Sequence, residues 1–154
     1  MKIALGSDHR GLIVATSLVN HLRAEGHEVE VLGECSGPAT DYPDIAWLVA
    51  KAVGERQVDR GILICGTGIG MCIAANKLPG IRAAMAQDEL AAQLSRTHND
   101  ANVLCLSADL IGQTLAKRVV DVWTKTQFEG GRHQRRLNKI AAIERGEDPS
   151  AVKQ

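Results

Sequence analysis

Short apolar runs alternate along the chain with longer stretches in which Ala, Leu, Val and Ile recur every three or four residues. The runs from Lys2 to Leu5, Glu28 to Leu32, Gly61 to Cys65, Ile81 to Met85 and Asn102 to Leu106 have the length and composition of strands. Between them, the stretches from Leu12 to Glu25, Pro43 to Arg56, Ile69 to Asn76, Glu89 to Thr97 and Leu110 to Gln127 carry the helical period. Gly26 and Gly54 stand where helix ends are expected. Five apolar strands, each followed by a helix, predict an α/β fold with a parallel sheet covered on both faces, a three-layer α/β/α sandwich. Gly6, Gly11, Gly33, Gly66, Gly68 and Gly70 lie at or near strand ends, which marks the carboxyl edge of the sheet as the ligand side.

After Gln127 the pattern changes to FEGGRHQRRLNKIAAIERG, a Gly-Gly hinge followed by a helix with Leu137, Ile140, Ala141 and Ile143 on one side. Residues 1–127 therefore read as a single α/β domain and residues 128–154 as a helical tail. An apolar stripe outside the strand-helix alternation predicts packing on a partner subunit, hence a homo-oligomer. The polar residues from Gly146 onward are expected to fray.

Composition narrows the function classes. A length of 154 residues suits one domain with a real core, and 18 Lys+Arg against 18 Asp+Glu leaves no formal net charge. Neutrality argues against duplex nucleic acid or an anionic membrane as partner. An anionic ligand, if there is one, must be small and locally gripped. Cys35, Cys65, Cys72 and Cys105 form no CxxC pair and fall in or beside apolar segments, the usage of a reduced, cytoplasmic protein without a disulfide framework. The start, MKIALGSDHRG, has too short an apolar run for a signal peptide or a membrane span.

The strongest local signal is ILICGTGIGMCIAANK, where a strand ends at Cys65 and passes through Gly66, Thr67, Gly68, Ile69 and Gly70 into a helix. Such a turn aims backbone N–H groups at one spot, a pocket for an anion or for an oxygen that becomes negative during reaction. An isolated turn of this kind can equally serve only close packing of strand and helix. There is no Gly-Lys-Ser/Thr phosphate loop, and the spacing lacks the last Gly of the dinucleotide fingerprint. A thiol at this junction is a usable base or nucleophile, whereas Cys35, Cys72 and Cys105 read as structural.

Two further polar clusters flank strands: Ser7-Asp8-His9-Arg10-Gly11 after the first, and Arg96-Thr97-His98-Asn99-Asp100 before the fifth. Alone, Asp8 reads as a helix cap and His98 and Asn99 as turn residues. Together with the Cys65 loop they suggest a site with an acid, imidazoles and oxyanion donors. A zinc site from Cys65, His9 and His98 is conceivable, but no close ligand pair anchors it. Arg132 and Arg136, four apart, share a helix face where a bound phosphate would offset their repulsion; with Arg135 and Lys139 nearby they read equally as a solvated basic face.

In this order the segments GSDHRG, DYPD at Asp41 to Asp44, ILICGTGIG with IAANK, GIRAA, LSRTHNDANVL and EGGRHQRR resemble the type B ribose-5-phosphate isomerases and the related galactose- and allose-6-phosphate isomerases. The resemblance covers nearly the whole chain. It implies a Rossmann-like sandwich, no metal or organic cofactor, a dimer or dimer of dimers with the active site at the subunit interface, and interconversion of an aldose phosphate with its ketose. It casts Cys65 as the base that moves a proton between C1 and C2 through a cis-enediolate, with the backbone of Gly66, Gly68, Ile69 and Gly70 on the enediolate oxygen. Thr67, Asp8 and His98 match residues that open the furanose ring and handle hydroxyl protons, and Asn99 matches a substrate contact. His9, Arg132 and Arg136 match the phosphate grip, with His133 and Arg10 as further candidates. The second Arg of the tail is expected to serve a neighbouring chain. One branch of the family carries a Glu where Met71 stands, and methionine cannot take a proton, so the sequence sides with the Cys branch. Tyr42, Asp41, Arg10 and Met71 are candidates for the specificity shell. Ribose 5-phosphate is the leading substrate, and four- or six-carbon sugar phosphates stay open. The rival from another class is a noncatalytic nucleotide-binding module, with Asp88 as its acidic residue for a ribose.

Overall fold

The computed structural model describes residues 1–33 and 41–152, so Cys35 lies outside the described residues. Among the described residues, strands β1 (Lys2–Ser7), β2 (Glu28–Val31), β3 (Arg60–Cys65), β4 (Ala83–Met85) and β5 (Val103–Ser107) alternate with helices α1 (Leu12–Ala24), α2 (Tyr42–Gly54), α3 (Ile69–Ala75), α4 (Glu89–Thr97) and α5 (Gln113–Lys125). Helix α6 (Arg132–Glu144) and a short 3-10 turn (Pro149–Ala151) follow. All strand pairs are parallel, in the order β2-β1-β3-β5-β4. This is the expected α/β/α sandwich. No described helix is long and apolar enough to cross a membrane.

Side-chain alternation along the central strands builds two cores. Ile62 and Ile64 of β3 join Leu104 and Leu106 of β5 under the buried faces of α1 and α5. Leu63 and Cys65 point the other way, with Val103 and Cys105, beneath α2 and α3. In α1 the buried positions Val14, Ala15, Leu18, Val19 and Leu22 repeat at three and four residues, the stripe that commits this segment to a helix. Each large aliphatic side chain so buried contributes about 1.5–3 kcal/mol.

Three boundaries depart from the pattern reading. Ile81 is buried but lies before β4, because its N–H is bonded to Leu78 O in a turn (3.3 Å). Leu110 is exposed and precedes α5, its N–H held by the Ser107 hydroxyl at 2.9 Å. The segment after Gly146 does not simply fray: Asp148 accepts from Ser150 N–H (2.8 Å), and Lys139 Nζ donates to Pro149 O (2.8 Å).

The strand order creates a switch point between β1 and β3. The chain leaves β1 for α1 on one face and β3 for α3 on the other, so the two loops meet over a crevice at the carboxyl edge. Asp8 N–H donates to Ile64 O across this join at 3.2 Å. Gly11 is fitted against it: a Cβ there would lie 2.7 Å from Ile64 O. That carbonyl belongs to a central strand and has no room to retreat. Gly11→Ala is therefore expected to destabilise the chain by about 1–3 kcal/mol in urea unfolding; an unchanged midpoint would show that the two loops are not held this closely.

Candidate active site

At the carboxyl edge, Cys65 ends β3 and is 5% exposed, and its Sγ accepts the N–H of Gly68 at 3.1 Å. Gly68 has φ +80°, and a Cβ on it would lie 3.1 Å from the Leu106 carbonyl, so both conformation and space require glycine. Gly66 is tied to the end of β5 through its carbonyl, which accepts the Ser107 hydroxyl at 2.6 Å and Asp109 N–H at 3.0 Å. The Tyr42 ring lies over Gly70, where a Cβ would come within 2.6 Å of it. Thr67 is exposed, its Oγ1 accepting Ile69 N–H at 3.3 Å, and Ile69 is half exposed. The first N–H groups of α3 have no intrahelical partner and open onto this loop.

Asp8 is buried, and its Oδ1 accepts from Arg10 N–H (3.0 Å) and Gly11 N–H (3.1 Å). It therefore folds the β1–α1 loop rather than capping α1, whose first residue is Leu12. His9 is exposed beside it. Arg10 is already engaged: Nε and one terminal nitrogen donate to Asp109 Oδ2 at 3.1 and 2.6 Å, directly beside Gly66. Asp41 is exposed at the start of α2 and makes no side-chain cap bond there.

The other predicted residues do not join this group. Helix α4 returns from the carboxyl edge to the amino edge, so His98, its C-cap, and the exposed Asn99 sit just before β5. The register pairs Cys65 with Ser107 and Gly61 with Val103. At about 3.3 Å per residue, the four residues between those levels put the two edges roughly 13 Å apart. His98 thus cannot reach Cys65 of its own chain by a hydrogen bond. The same separation removes the Cys65, His9 and His98 zinc site from a single subunit.

The tail gathers at the amino edge. Glu129 N–H donates to Thr97 O at 3.1 Å, and Gly130 (φ 67°) and Gly131 (φ 54°) reverse the chain into α6. His133 is buried and stacks on His98, ring centroids 4.2 Å apart and 6° from parallel. Arg132 Nε and Glu129 Oε2 lie 3.4 and 3.6 Å from its Nε2, and its buried Nδ1 has no partner among the described residues. Burial, then repulsion from His98, Arg132 and Arg136, lowers the His133 pKa below its ordinary 6.5, against an opposing pull from Glu129. Arg132 and Arg136 are exposed, one turn apart. Donor atoms of His98, Glu129 and His133 lie within 4.8 Å of one another. The positive charges of Arg132 and Arg136 act on His133 here, an unfavourable setting for a cation.

Two other readings change. Cys72 is only half buried, and a hydrogen bond with Cys105 lowers its pKa to about 7 despite the opposing effect of burial. Its partial exposure and lowered pKa set it apart from the buried Cys105, a neighbour thirty-three positions away. Cys105 is buried, and that bond and its burial raise its pKa well above the usual value. Asp88, the acidic residue required by a nucleotide-binding module, is used instead to cap α4, accepting Ala91 N–H at 2.7 Å.

Two outcomes follow. Because the unfolded chain binds the His133 proton more readily, stability is lost as pH falls from about 6.5 through the lowered folded-state value. His133→Phe, which keeps a ring in the stack, is expected to reduce that loss in urea titrations at neutral and mildly acidic pH; an unchanged slope would contradict it. In peptide mapping after iodoacetamide treatment at neutral pH, Cys72 is expected to be marked before Cys105, and the reverse order would contradict the assignment.

The description Ribose/Galactose Isomerase belongs to the family whose model matches residues 3–140. The chain is 52% identical over 143 residues to ribose-5-phosphate isomerase B of Escherichia coli, covering 93% of this chain and 96% of that protein. Among solved structures, ribose-5-phosphate isomerase B of Clostridium thermocellum superposes with a TM-score of 0.93 at 47% identity, covering 95% of this chain and 99% of that one. The enzyme of Mycoplasma genitalium with bound ribulose-5-phosphate gives 0.90 at 45% identity, covering 94% and 96%. With a parallel sheet of matching topology and similarity along nearly its whole length, the chain belongs to the ribose/galactose isomerase family.

Proposed function

We propose that the protein interconverts ribose 5-phosphate and ribulose 5-phosphate, with Cys65 as the base. The observation that carries this reading is the Cys65 sulfur held at 3.1 Å from the Gly68 N–H at the switch point, in a chain similar end to end to proteins named for that reaction. The Cys65 thiolate takes the C2 proton of the open-chain aldose, the electron pair forms the C1–C2 double bond, and negative charge collects on O1. The same thiol returns the proton to C1 as O2 gives up its own and becomes the carbonyl. Backbone N–H groups of the Gly66 to Gly70 turn stabilise the enediolate oxygen. Thr67, Asp8 and His98 handle hydroxyl protons during ring opening, and Asn99 holds the sugar. His9, Arg132 and Arg136 grip the phosphate, and Asp41 and Tyr42 line the entrance. Asp8 is placed by its turn and Tyr42 by Gly70, which supports their inclusion. Arg10, paired with Asp109, shapes the loop instead.

The separation of Cys65 from His98 and the tail supports a two-chain site. Ile69, Ile73, Met85, Leu90 and Leu94 expose apolar surface on β4 and the helices beside it, and Ile140 and Ile143 do so on α6. A two-fold axis normal to the strands at this flank would set one chain's carboxyl edge against its partner's amino edge. Each site then combines Asp8, His9 and Cys65 of one subunit with His98, Asn99, Arg132 and Arg136 of the other. Residues 128–154 serve the partner in this arrangement, although His133, Leu137 and Ala142 are already buried within the chain. The described cysteines are free thiols, in keeping with a cytoplasmic enzyme.

Removing the base from a proton-transfer step costs about 10²–10⁴-fold. Cys65→Ala is therefore expected to lower kcat by at least that factor while substrate still binds, as read by calorimetry. Retained isomerisation would rule out the thiolate as base. In a panel of four-, five- and six-carbon aldose phosphates, ribose 5-phosphate is expected to turn over fastest, and clear preference for another length would overturn the substrate assignment without touching the reaction type.

A further inference from the structure

A second cavity lies away from the Cys65 loop. It lies at the amino edge of the sheet, about 560 Å³ in volume, and its walls carry Arg56, Arg60, Arg82 and Arg96 against only two carboxylates, Asp59 and Asp100. In a chain with no net charge, two unmatched positive charges meet there. The volume falls in the range of small-molecule sites.

Each inward arginine is held by part of its guanidinium and leaves the rest over. Arg60 donates from one terminal nitrogen to Trp123 O (2.8 Å) and Thr124 O (3.2 Å), and stacks over the Trp123 ring at 5.1 Å. Arg82 uses Nε and one terminal nitrogen on Asn99 O, Asp100 O and the Asp100 carboxylate, at 2.8–3.1 Å. Arg96 uses Nε and one terminal nitrogen on Thr126 O, Ala101 O and Asp100 Oδ1. The remaining terminal nitrogens of Arg60 and Arg82 have no hydrogen-bond partner among the described residues, and Arg96 borders the cavity while 5% exposed. Fixed forks with spare donors are suited to phosphate oxygens. Burial and then the nearby Arg96 lower the Arg60 pKa to about 10, against the opposing pull of Asp100 and Asp59.

The backbone adds an independent sign. Among the described residues only two non-glycines have positive φ, Arg56 (58°) and Asp100 (44°), and both line this cavity. Arg56 occupies the turn that ends α2, where Arg56 N–H donates to Val53 O and Gln57 N–H to Ala52 O. Glycine is the unstrained residue for that position. A long cation stands there instead, exposed and without an ion pair among the described residues. Strain of this kind gathers at functional sites.

We propose that this cavity binds a phosphorylated small molecule, its phosphate among the spare donors of Arg56, Arg60, Arg82 and Arg96 and its organic body against Val53 and Val58. A phosphate monoester carries about −1.5 to −2 charge at neutral pH, which matches the local excess. The cavity exceeds what a bare phosphate fills. Asp100, which holds Arg82 and Arg96, follows His98 and Asn99 in the chain, so occupancy bears on the loop that carries them.

The test uses adenosine monophosphate as probe and the full chain with Arg132→Ala and Arg136→Ala, which removes the proposed catalytic phosphate grip. Binding is followed by calorimetry and by the arginine Nε–H resonances. Saturable binding is expected, with shifts at Arg60, Arg82 and Arg96, and adenosine, which lacks the phosphate, should not compete. Arg56→Gly in the same background should weaken binding at least tenfold, while in the otherwise unaltered protein it leaves isomerisation unchanged and the melting temperature no lower. Absence of binding, equal binding of adenosine, or shifts that persist undiminished in Arg56→Gly would each overturn the proposal.

Discussion

The polarity of the parallel sheet is the constraint on which the rest depends. Every strand runs the same way, so every helix must carry the chain back, and the end of a helix lies at the edge opposite the loop that precedes it. Cys65 ends a strand and His98 ends a helix, so they occupy opposite edges however close their motifs look in sequence. Adjusting loops cannot bring them together within one subunit. The same geometry places the tail beside His98, because Glu129 bonds to Thr97 and the Gly130–Gly131 reversal starts α6 there.

The carboxyl-edge half is rigid for steric reasons. Its three glycines are required by three different neighbours: the Arg10–Asp109 pair beside Gly66, the Leu106 carbonyl beside Gly68, and the Tyr42 ring over Gly70. Ser107 and Asp109 clamp the Gly66 carbonyl from the end of β5. The Gly68 N–H is thereby fixed on the Cys65 sulfur. The amino-edge half is organised differently, by a stacked pair of imidazoles whose buried member has its pKa lowered by burial and then by its cationic neighbours.

Periodicity carried most of the fold. Alternating apolar runs and helical stripes are local properties, and the helix stripe in α1 and the paired cores follow directly from them. The Gly-rich turn was equally legible because its parts are contiguous. Pairings between distant positions were not legible, among them Arg10 with Asp109, Cys72 with Cys105, and His98 with His133. The arginine cavity was hidden for the same reason: Arg56 and Arg60 stand at the junction of α2 with β3, Arg82 just before β4 and Arg96 in α4, and the four share no motif. Balanced composition hid it further, since zero net charge says nothing of where the charges stand.

The central claim is that each site takes Cys65 from one subunit and His98 from the other. Co-expression of Cys65→Ala and His98→Ala chains, each inactive when expressed alone, tests it directly. A mixed dimer would hold one site with both substitutions and one with neither, so a statistical mixture should recover about one quarter of the unaltered activity. No recovery, in material shown by mass spectrometry to contain mixed dimers, would place the whole site within a single chain and contradict the account.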